Sequence, residues 1–210
     1  MSPFTHTLLY CALLLLTLKE LTEACSCIIS HPQEKFCNSD VVVRAKVISE
    51  KRISSPGHMD DTKQYQIKVM KVFKGDTMTI YHLQYVSTPS ESAACGTTLQ
   101  NQKEYLLGGN MYNGTVRIYL CGLHYPWESL STFQIKSLSQ PDEGYQQGCQ
   151  CKIKFCGMET CDSKAPNECV WSDRQETETL EKEHACLKQK DGSCSWYPSI
   201  PGKSTHNSHP

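Results

Sequence analysis

The residues most suited to chemistry are two cysteines separated by one residue, Cys25 and Cys27. They follow a short apolar leader. The leader runs from Leu8 to Leu18, and the small residues at positions 22 and 24 match the −3 and −1 positions of a secretory cleavage site. Cleavage after Ala24 leaves Cys25 as the mature amino terminus. Its α-amine and carbonyl then lie on a residue that is expected to be crosslinked. We therefore predict a rigid chain end that presents one amine and one carbonyl group.

The cysteine count supports an exported, crosslinked chain. One of the 13 cysteines, Cys11, lies in the leader, and an even set of 12 remains after cleavage. An even and dense set of cysteines in an exported chain is typical of a disulfide framework. A cysteine-rich metal-binding protein is the alternative, but that interpretation leaves the apolar leader unexplained.

Composition and motifs exclude several classes of function. The formal net charge is −1, which gives no basis for binding nucleic acid or a membrane surface. No second apolar run approaches the ~20 residues that span a bilayer. The chain has no HExxH, GxSxG, phosphate-loop or dinucleotide motif. We expect a secreted, extracellular protein that is a monomer, has no cofactor of its own and is not an enzyme.

The elements predicted to position the chain end are mostly short strands, with few helices. Apolar alternation predicts five strands, at residues 39–50, 64–75, 77–86, 103–109 and 115–120. Short helices are predicted at residues 32–37 and 126–138, and an exposed loop at residues 51–63. This content predicts a mainly β (α+β) fold with a closed five-stranded barrel of the OB type.

Two local features refine the strand predictions. The alternation in the second strand slips at Met70, which indicates a β-bulge. Asn113-Gly114 predicts a tight hairpin turn between the fourth and fifth strands. Asn113-Gly114-Thr115 is also a sequon for N-glycosylation, and the residues alone leave modification and a plain turn equally open.

Composition also divides the chain into segments. We predict a signal peptide at residues 1–24, a barrel domain at 25–149, a disulfide-rich subdomain at 150–197 and a flexible tail at 198–210. The subdomain is too small and polar to hold a core without crosslinks.

Several segments together resemble one family. CSC at the mature start, HPQ followed by FCNSD, VVVRAK, FKG, PW before a helix, and ECVW with DGSCSWY near the end resemble the tissue inhibitors of metalloproteinases. The resemblance covers residues 25–197, and SEK, CKI and DGSCSWY look most like the second and fourth types. It implies an N-terminal OB-like barrel, also called a netrin-like domain, and a smaller C-terminal subdomain.

The resemblance also implies a disulfide pattern. The residues alone leave on the order of ten thousand pairings open. Carrying over the family's pairing by cysteine order gives Cys25–Cys95, Cys27–Cys121, Cys37–Cys149, Cys151–Cys194, Cys156–Cys161 and Cys169–Cys186.

The same resemblance implies a function. The free amine and carbonyl of Cys25 would chelate the catalytic zinc of a matrix metalloproteinase or a related zinc endopeptidase, with Ser26 in the specificity pocket of that enzyme. The implied protease-binding residues are Cys25, Ser26, Cys27, Ile28, Ile29, Ser92, Ala93 and Ala94.

Some details depart from the family pattern. The loop at residues 50–63 is short for the second type, and the tail lacks the acidic residues that help that type to dock a gelatinase zymogen. The resemblance therefore implies a zymogen partner only weakly. The alternative function is a netrin-like module that binds a receptor or the matrix without inhibiting a protease.

Overall fold

The computed structural model describes residues 25–54, 61–140, 142–157, 165–172 and 177–198. The strands are β1 Val41–Ile53, β2 Thr62–Lys74, β3 Tyr85–Pro89, β4 Glu104–Tyr112, β5 Thr115–Arg117, β6 His124–Pro126, β7 Lys152–Cys156, β8 Glu168–Ser172, β9 Ala185–Lys188 and β10 Cys194–Tyr197. The α-helices are α1 Pro32–Cys37, α2 Thr77–Ile80, α3 Thr132–Ser139, α4 Tyr145–Gly148 and α5 Thr177–Glu183. The predicted signal peptide and all but the first residue of the predicted tail lie outside the described residues.

Five strands close into a ring, which confirms the predicted barrel. β1 pairs with β2, β2 with β3, and β4 with both β5 and β1, all antiparallel. β3 and β5 are parallel neighbours, and their pairing completes the ring. β6 adds to β4 outside it. Closure pairs the barrel strands around the ring, whereas β2 from Lys68 onward pairs with β1 alone.

The alternation of apolar residues accounts for the barrel core. Val41, Val43, Ala45 and Val47 of β1 are buried, while Arg44 between them is only partly buried. We call the apolar cluster inside the ring the barrel core; its buried members are Val41, Val43, Ala45, Val47, Tyr65, Ile67, Ile80, Val86, Leu99, Tyr105, Leu107, Val116 and Ile118.

The predicted bulge at Met70 is confirmed. Arg44 lies opposite Lys71 and Ala45 lies opposite Val69, so Met70 is an extra residue in β2. Because of this bulge, apolar side chains of β2 point into the barrel core both before and after Met70.

The predicted strand at residues 77–86 is wrong in its first half. Gly75 has φ +106°, and the Asp76 carboxylate accepts a hydrogen bond from the Thr79 N–H at 3.2 Å. This is an N-cap, and it begins the one-turn helix α2 instead of a strand. β3 begins only at Tyr85. The N-cap at Asp76 therefore determines the local structure, although the apolar alternation predicts a strand.

Two further predictions need correction. The loop predicted at residues 51–63 is shorter, because β1 continues to Ile53 and β2 begins at Thr62. The helix predicted at residues 126–138 begins at Thr132, after a 3₁₀ turn at Trp127–Ser129. Ser131 caps it by accepting from the Gln134 N–H, while the Gln134 side chain accepts from the Ser131 N–H. The predicted helix at 32–37 is confirmed by α1.

The C-terminal part contains two small sheets. β7 and β8 are parallel, and β9 and β10 are antiparallel. Their shared apolar cluster, called here the C-terminal cluster, has six buried members: Ile153, Cys169, Trp171, Leu180, Cys186 and Trp196.

A third cluster joins the two parts. This junction cluster takes buried residues from both sides of residue 149: Phe36, Val42, Leu106, Leu123, Leu138, Tyr145, Ala185 and Leu187. The division into domains at residue 149 stays a prediction, and the apolar contacts cross it.

Candidate functional site: the crosslinked chain end

The first described residues form an exposed segment tied down at two points. Cys25 is crosslinked to Cys95 and Cys27 to Cys121, with Cα–Cα distances of 5.1 and 5.2 Å. The Sγ atoms of Cys25 and Cys121 are 3.8 Å apart, so the two disulfides lie side by side. Residues 25–30 belong to no helix or strand. The disulfides, rather than a hydrogen-bond ladder, hold this segment in place.

The side chains between and after the disulfides face solvent. Ser26 is exposed, Ile28 is 88% exposed and Ile29 is 48% exposed. Two adjacent exposed isoleucines cost free energy in water, and exposed apolar groups of this kind commonly mark a surface that binds another protein.

A second exposed segment lies beside the first. Ser92–Ala94 forms one 3₁₀ turn with all three residues exposed, and it leads directly into Cys95. The structure therefore brings together all the predicted protease-binding residues. We call residues 25–29 and 92–94 the amino-terminal ridge.

The backbone around Cys95 explains why the ridge keeps its shape. Cys95 has a left-handed φ of 60° and its carbonyl accepts a hydrogen bond from the Leu120 N–H at 2.8 Å. A Cβ on Gly96 would lie 2.1 Å from the Pro89 carbonyl oxygen. Glycine is therefore required where the chain leaves the ridge.

Buried polar groups support this turn from inside the barrel. The Tyr65 hydroxyl accepts from the Leu99 N–H at 3.2 Å and donates to the Thr97 carbonyl at 3.4 Å. The Thr88 hydroxyl accepts from the Thr97 N–H at 3.1 Å. Burial raises the pKa of Tyr65 and keeps its hydroxyl neutral. Sequence reasoning missed this support; the only local signal was the inward position of Tyr65 in its strand.

The other end of the ridge enters a capped helix. The Glu34 carboxylate accepts from the His31 N–H at 3.1 Å and from the Ser30 hydroxyl at 3.2 Å. His31 Nδ1 in turn accepts from the Gln33 N–H at 3.2 Å. Pro32 occupies the first turn of α1, where its missing N–H is not needed.

His31 also reaches the C-terminal part. Its Nε2 donates to the Leu180 carbonyl at 3.1 Å, and its ring lies edge-on against Trp171. Burial lowers the pKa of His31 to about 4, so the imidazole is neutral at physiological pH. One nitrogen accepting and one donating is the pattern of a single neutral tautomer.

The structure contains five disulfides among the described cysteines. They are Cys25–Cys95, Cys27–Cys121, Cys37–Cys149, Cys151–Cys194 and Cys169–Cys186, and each matches a pair that the resemblance implied. Cys156 is also disulfide-bonded, and its predicted partner Cys161 lies outside the described residues.

Two groups of three sulfurs lie within 4.8 Å of one another. They are Cys25, Cys27 and Cys121, and Cys151, Cys186 and Cys194. Every one of these sulfurs is in a disulfide. Metal ligation requires a thiolate, so these oxidised groups are crosslinks and not metal sites.

Comparison with known proteins shows the family of this chain. A family model described as tissue inhibitor of metalloproteinase matches residues 23–196. The chain belongs to that family. Metalloproteinase inhibitor 2 of Homo sapiens is 43% identical over 196 residues, which cover 88% of this chain and 86% of that protein.

Other members of the family have similar identity. Metalloproteinase inhibitor 2 of Bos taurus is 41% identical over 201 residues, covering 90% of this chain and 89% of that protein. Metalloproteinase inhibitor 3 of Scyliorhinus torazame is 39% identical over 191 residues, covering 89% and 86%. In the part of this family member that the structure describes, no helix is long and apolar enough to cross a bilayer.

Proposed function

We propose that this protein is a secreted inhibitor of zinc metalloendopeptidases, including matrix metalloproteinases, and that the amino-terminal ridge is its inhibitory surface. One observation carries the proposal. The ridge is an exposed chain end that two neighbouring disulfides fasten to an exposed turn, in a member of the tissue inhibitor of metalloproteinase family.

The α-amine of Cys25 supplies the chemistry after removal of residues 1–24. A neutral amine and the carbonyl oxygen of the same residue form a five-membered chelate with one metal ion. The catalytic zinc of a metalloendopeptidase has three protein ligands and one position for water. The chelate displaces that water. The reference pKa of an α-amine is about 8, and the metal competes with the proton for the nitrogen near neutral pH.

The remaining ridge residues follow the substrate-binding cleft of the partner enzyme. Ser26 enters the specificity pocket, Ile28 and Ile29 continue along the primed side, and Ser92–Ala94 fills the unprimed side. No peptide bond spans the zinc, so the enzyme is occupied without turnover. Because the disulfides order the ridge before binding, association loses less conformational entropy.

The proposal assigns this chain no catalysis and no cofactor of its own, since the zinc belongs to the partner. The inhibitor acts as a monomer in the extracellular space. A gelatinase zymogen, bound through the C-terminal part, is the weaker second partner, because the tail lacks the acidic residues that help the second type to dock a zymogen.

Adding one alanine before Cys25 tests the proposal. The extra residue moves the free amine away from the carbonyl of Cys25 and abolishes the chelate, so we expect inhibition of a zinc endopeptidase to be lost. One alanine added after Pro210 is the matched control and keeps full potency. Amino-terminal sequencing must show that the secreted wild-type protein begins at Cys25.

Circular dichroism and the thermal unfolding midpoint of the extended variant are expected to match those of the wild type, which verifies that the variant is folded. Undiminished inhibition by that variant would remove the chelation mechanism. Absence of inhibition in both the wild type and the control would favour a non-inhibitory netrin-like binding module.

A further inference from the structure

We propose that Asn113 carries an N-linked glycan whose first sugar packs against the ring of Tyr112. Asn113-Gly114-Thr115 is the one N-x-S/T sequon in the 210-residue sequence. The inference requires passage through the secretory pathway, which is part of the proposed function, but it does not depend on protease inhibition.

The sequon lies at the tip of the β4–β5 hairpin. Tyr112 pairs with Thr115, so the connection has only two residues. Asn113 and Gly114 have φ values of 47° and 77°, the left-handed pair that defines a type I′ turn. The turn therefore projects the Asn113 side chain outward from the end of the hairpin.

The space around the turn is open. Residues 111–114 are exposed, and a Cβ built on Gly114 meets no atom within 4 Å. Within the described part of the chain, the Asn113 amide has no hydrogen-bond partner. A bulky glycan on its Nδ2 atom displaces no native contact.

Tyr112 offers a platform for the first sugar. Its side chain is 56% exposed although it is a large aromatic group. The Arg117 guanidinium lies 4.6 Å from the ring centroid and occupies one face. The other face is available to the C–H groups of an N-acetylglucosamine, which form an apolar surface that packs on an electron-rich ring.

The topology separates this turn from the amino-terminal ridge. β3 and β5 are parallel; β3 runs toward residues 92–94, and β5 runs toward Cys121, which crosslinks Cys27. Both strands therefore point at the ridge. Asn113 precedes β5 and therefore lies at the end of that strand away from Cys121, so we expect a glycan there to leave the ridge accessible.

The modification is a balanced group transfer. Asn113 Nδ2 forms a bond to C1 of the first sugar of a lipid-linked oligosaccharide, supplied by the oligosaccharide transferase of the secretory pathway. The bond between C1 and the pyrophosphate oxygen breaks, the lipid pyrophosphate leaves with the electron pair, and the amide nitrogen releases one proton.

The first test is the mass of the protein secreted from eukaryotic cells, before and after an amidase that removes N-linked glycans. We expect a mass loss for the wild type and for Thr115→Ser, which keeps the sequon. Asn113→Gln and Thr115→Ala are expected to show none. Asn101→Gln changes an exposed asparagine outside the sequon and keeps the mass loss. A secreted wild type without a glycan would overturn the proposal.

A second arm separates the site from the leader. Residues 25–210 are fused to the leader of an unrelated secreted protein, so the sequon is tested even if residues 1–24 do not direct export. If the protein is exported with the unrelated leader but not with its native leader, the result counts against the proposed secretion. Failure of glycosylation in both arms counts against Asn113. We expect the glycosylated protein and Asn113→Gln to inhibit equally.

The thermal unfolding midpoint tests the packing on Tyr112. Enzymatic removal of the glycan is expected to lower the midpoint of the wild type by roughly 2–4 °C, and to leave that of Tyr112→Ala unchanged. Tyr197→Ala removes a similarly exposed tyrosine of β10 and is expected to keep the drop. An equal drop in Tyr112→Ala would overturn the contact between sugar and ring.

Discussion

The barrel and the C-terminal part of this protein are stabilised in different ways. The barrel core has 13 buried apolar residues inside a ring of five strands. The C-terminal cluster has six, of which two, Cys169 and Cys186, are the halves of one disulfide. A large apolar core stabilises a domain by itself, whereas a small one needs crosslinks.

The contact between the two parts is partly polar. The Gln33 side chain donates to the carbonyls of Gly148 and Cys186 at 2.9 and 2.8 Å, and accepts from the Cys186 N–H at 2.8 Å. His31 contributes the hydrogen bond to Leu180. Both residues follow the ridge directly in sequence. The segment next to the proposed inhibitory surface therefore also joins the barrel to the C-terminal part.

The largest expected loss of unfolding free energy comes from a substitution in the barrel core. Leu107→Ala removes a fully buried side chain and leaves a cavity, which costs about 4 kcal/mol of unfolding free energy. Ile153→Ala in the C-terminal cluster is expected to cost about 2 kcal/mol, since that cluster is smaller and crosslinked. Urea unfolding at neutral pH measures both. Equal losses would contradict the contrast between a core-stabilised and a crosslink-stabilised part.

A pH dependence tests the His31 contact. Above pH 6.5 the imidazole is neutral in both states, and below that pH the unfolded chain binds a proton that the folded protein, with a His31 pKa of about 4, does not. Stability therefore falls as the pH decreases from 6.5 to 4, by roughly 3 kcal/mol in total.

The control for this prediction is His31→Asn, which keeps a residue suited to the helix N-cap. Burial also lowers the pKa of His124, so the informative quantity is the difference between the two pH profiles. Parallel profiles for wild type and His31→Asn would contradict the assignment.

The effect expected at Gln33 is as small as that of Ile153→Ala. Gln33→Leu removes the side-chain partner of two carbonyls and one N–H, of which the Gly148 carbonyl keeps the Cys151 N–H, and is expected to cost about 2 kcal/mol. Two of the three tryptophans, Trp171 and Trp196, lie in the C-terminal part. With Trp127 replaced by phenylalanine in all variants, tryptophan fluorescence should change at lower urea than the far-UV circular dichroism, which the barrel strands dominate. Gln66→Leu on the exposed side of β2 is the matched control and should leave the transitions coincident.

Short-range patterns account for what the sequence could predict. The alternation in β1, the bulge at Met70, the capped helix after His31 and the tight turn at Asn113-Gly114 are all set by residues within a few positions of each other. Local capping also explains the wrong prediction at residues 77–80, where Asp76 initiates a helix within an alternating segment.

Cysteine content and apolar alternation were enough to predict a crosslinked, barrel-forming chain with a cysteine at its expected mature end. The construction of the ridge depends on long-range contacts, because Cys25 and Cys27 pair with cysteines 70 and 94 residues away. The parallel pairing of β3 with β5 and the burial of His31 against Trp171 are likewise long-range contacts. No local pattern encodes such contacts, since they form only when the whole ring closes and the C-terminal part packs against it.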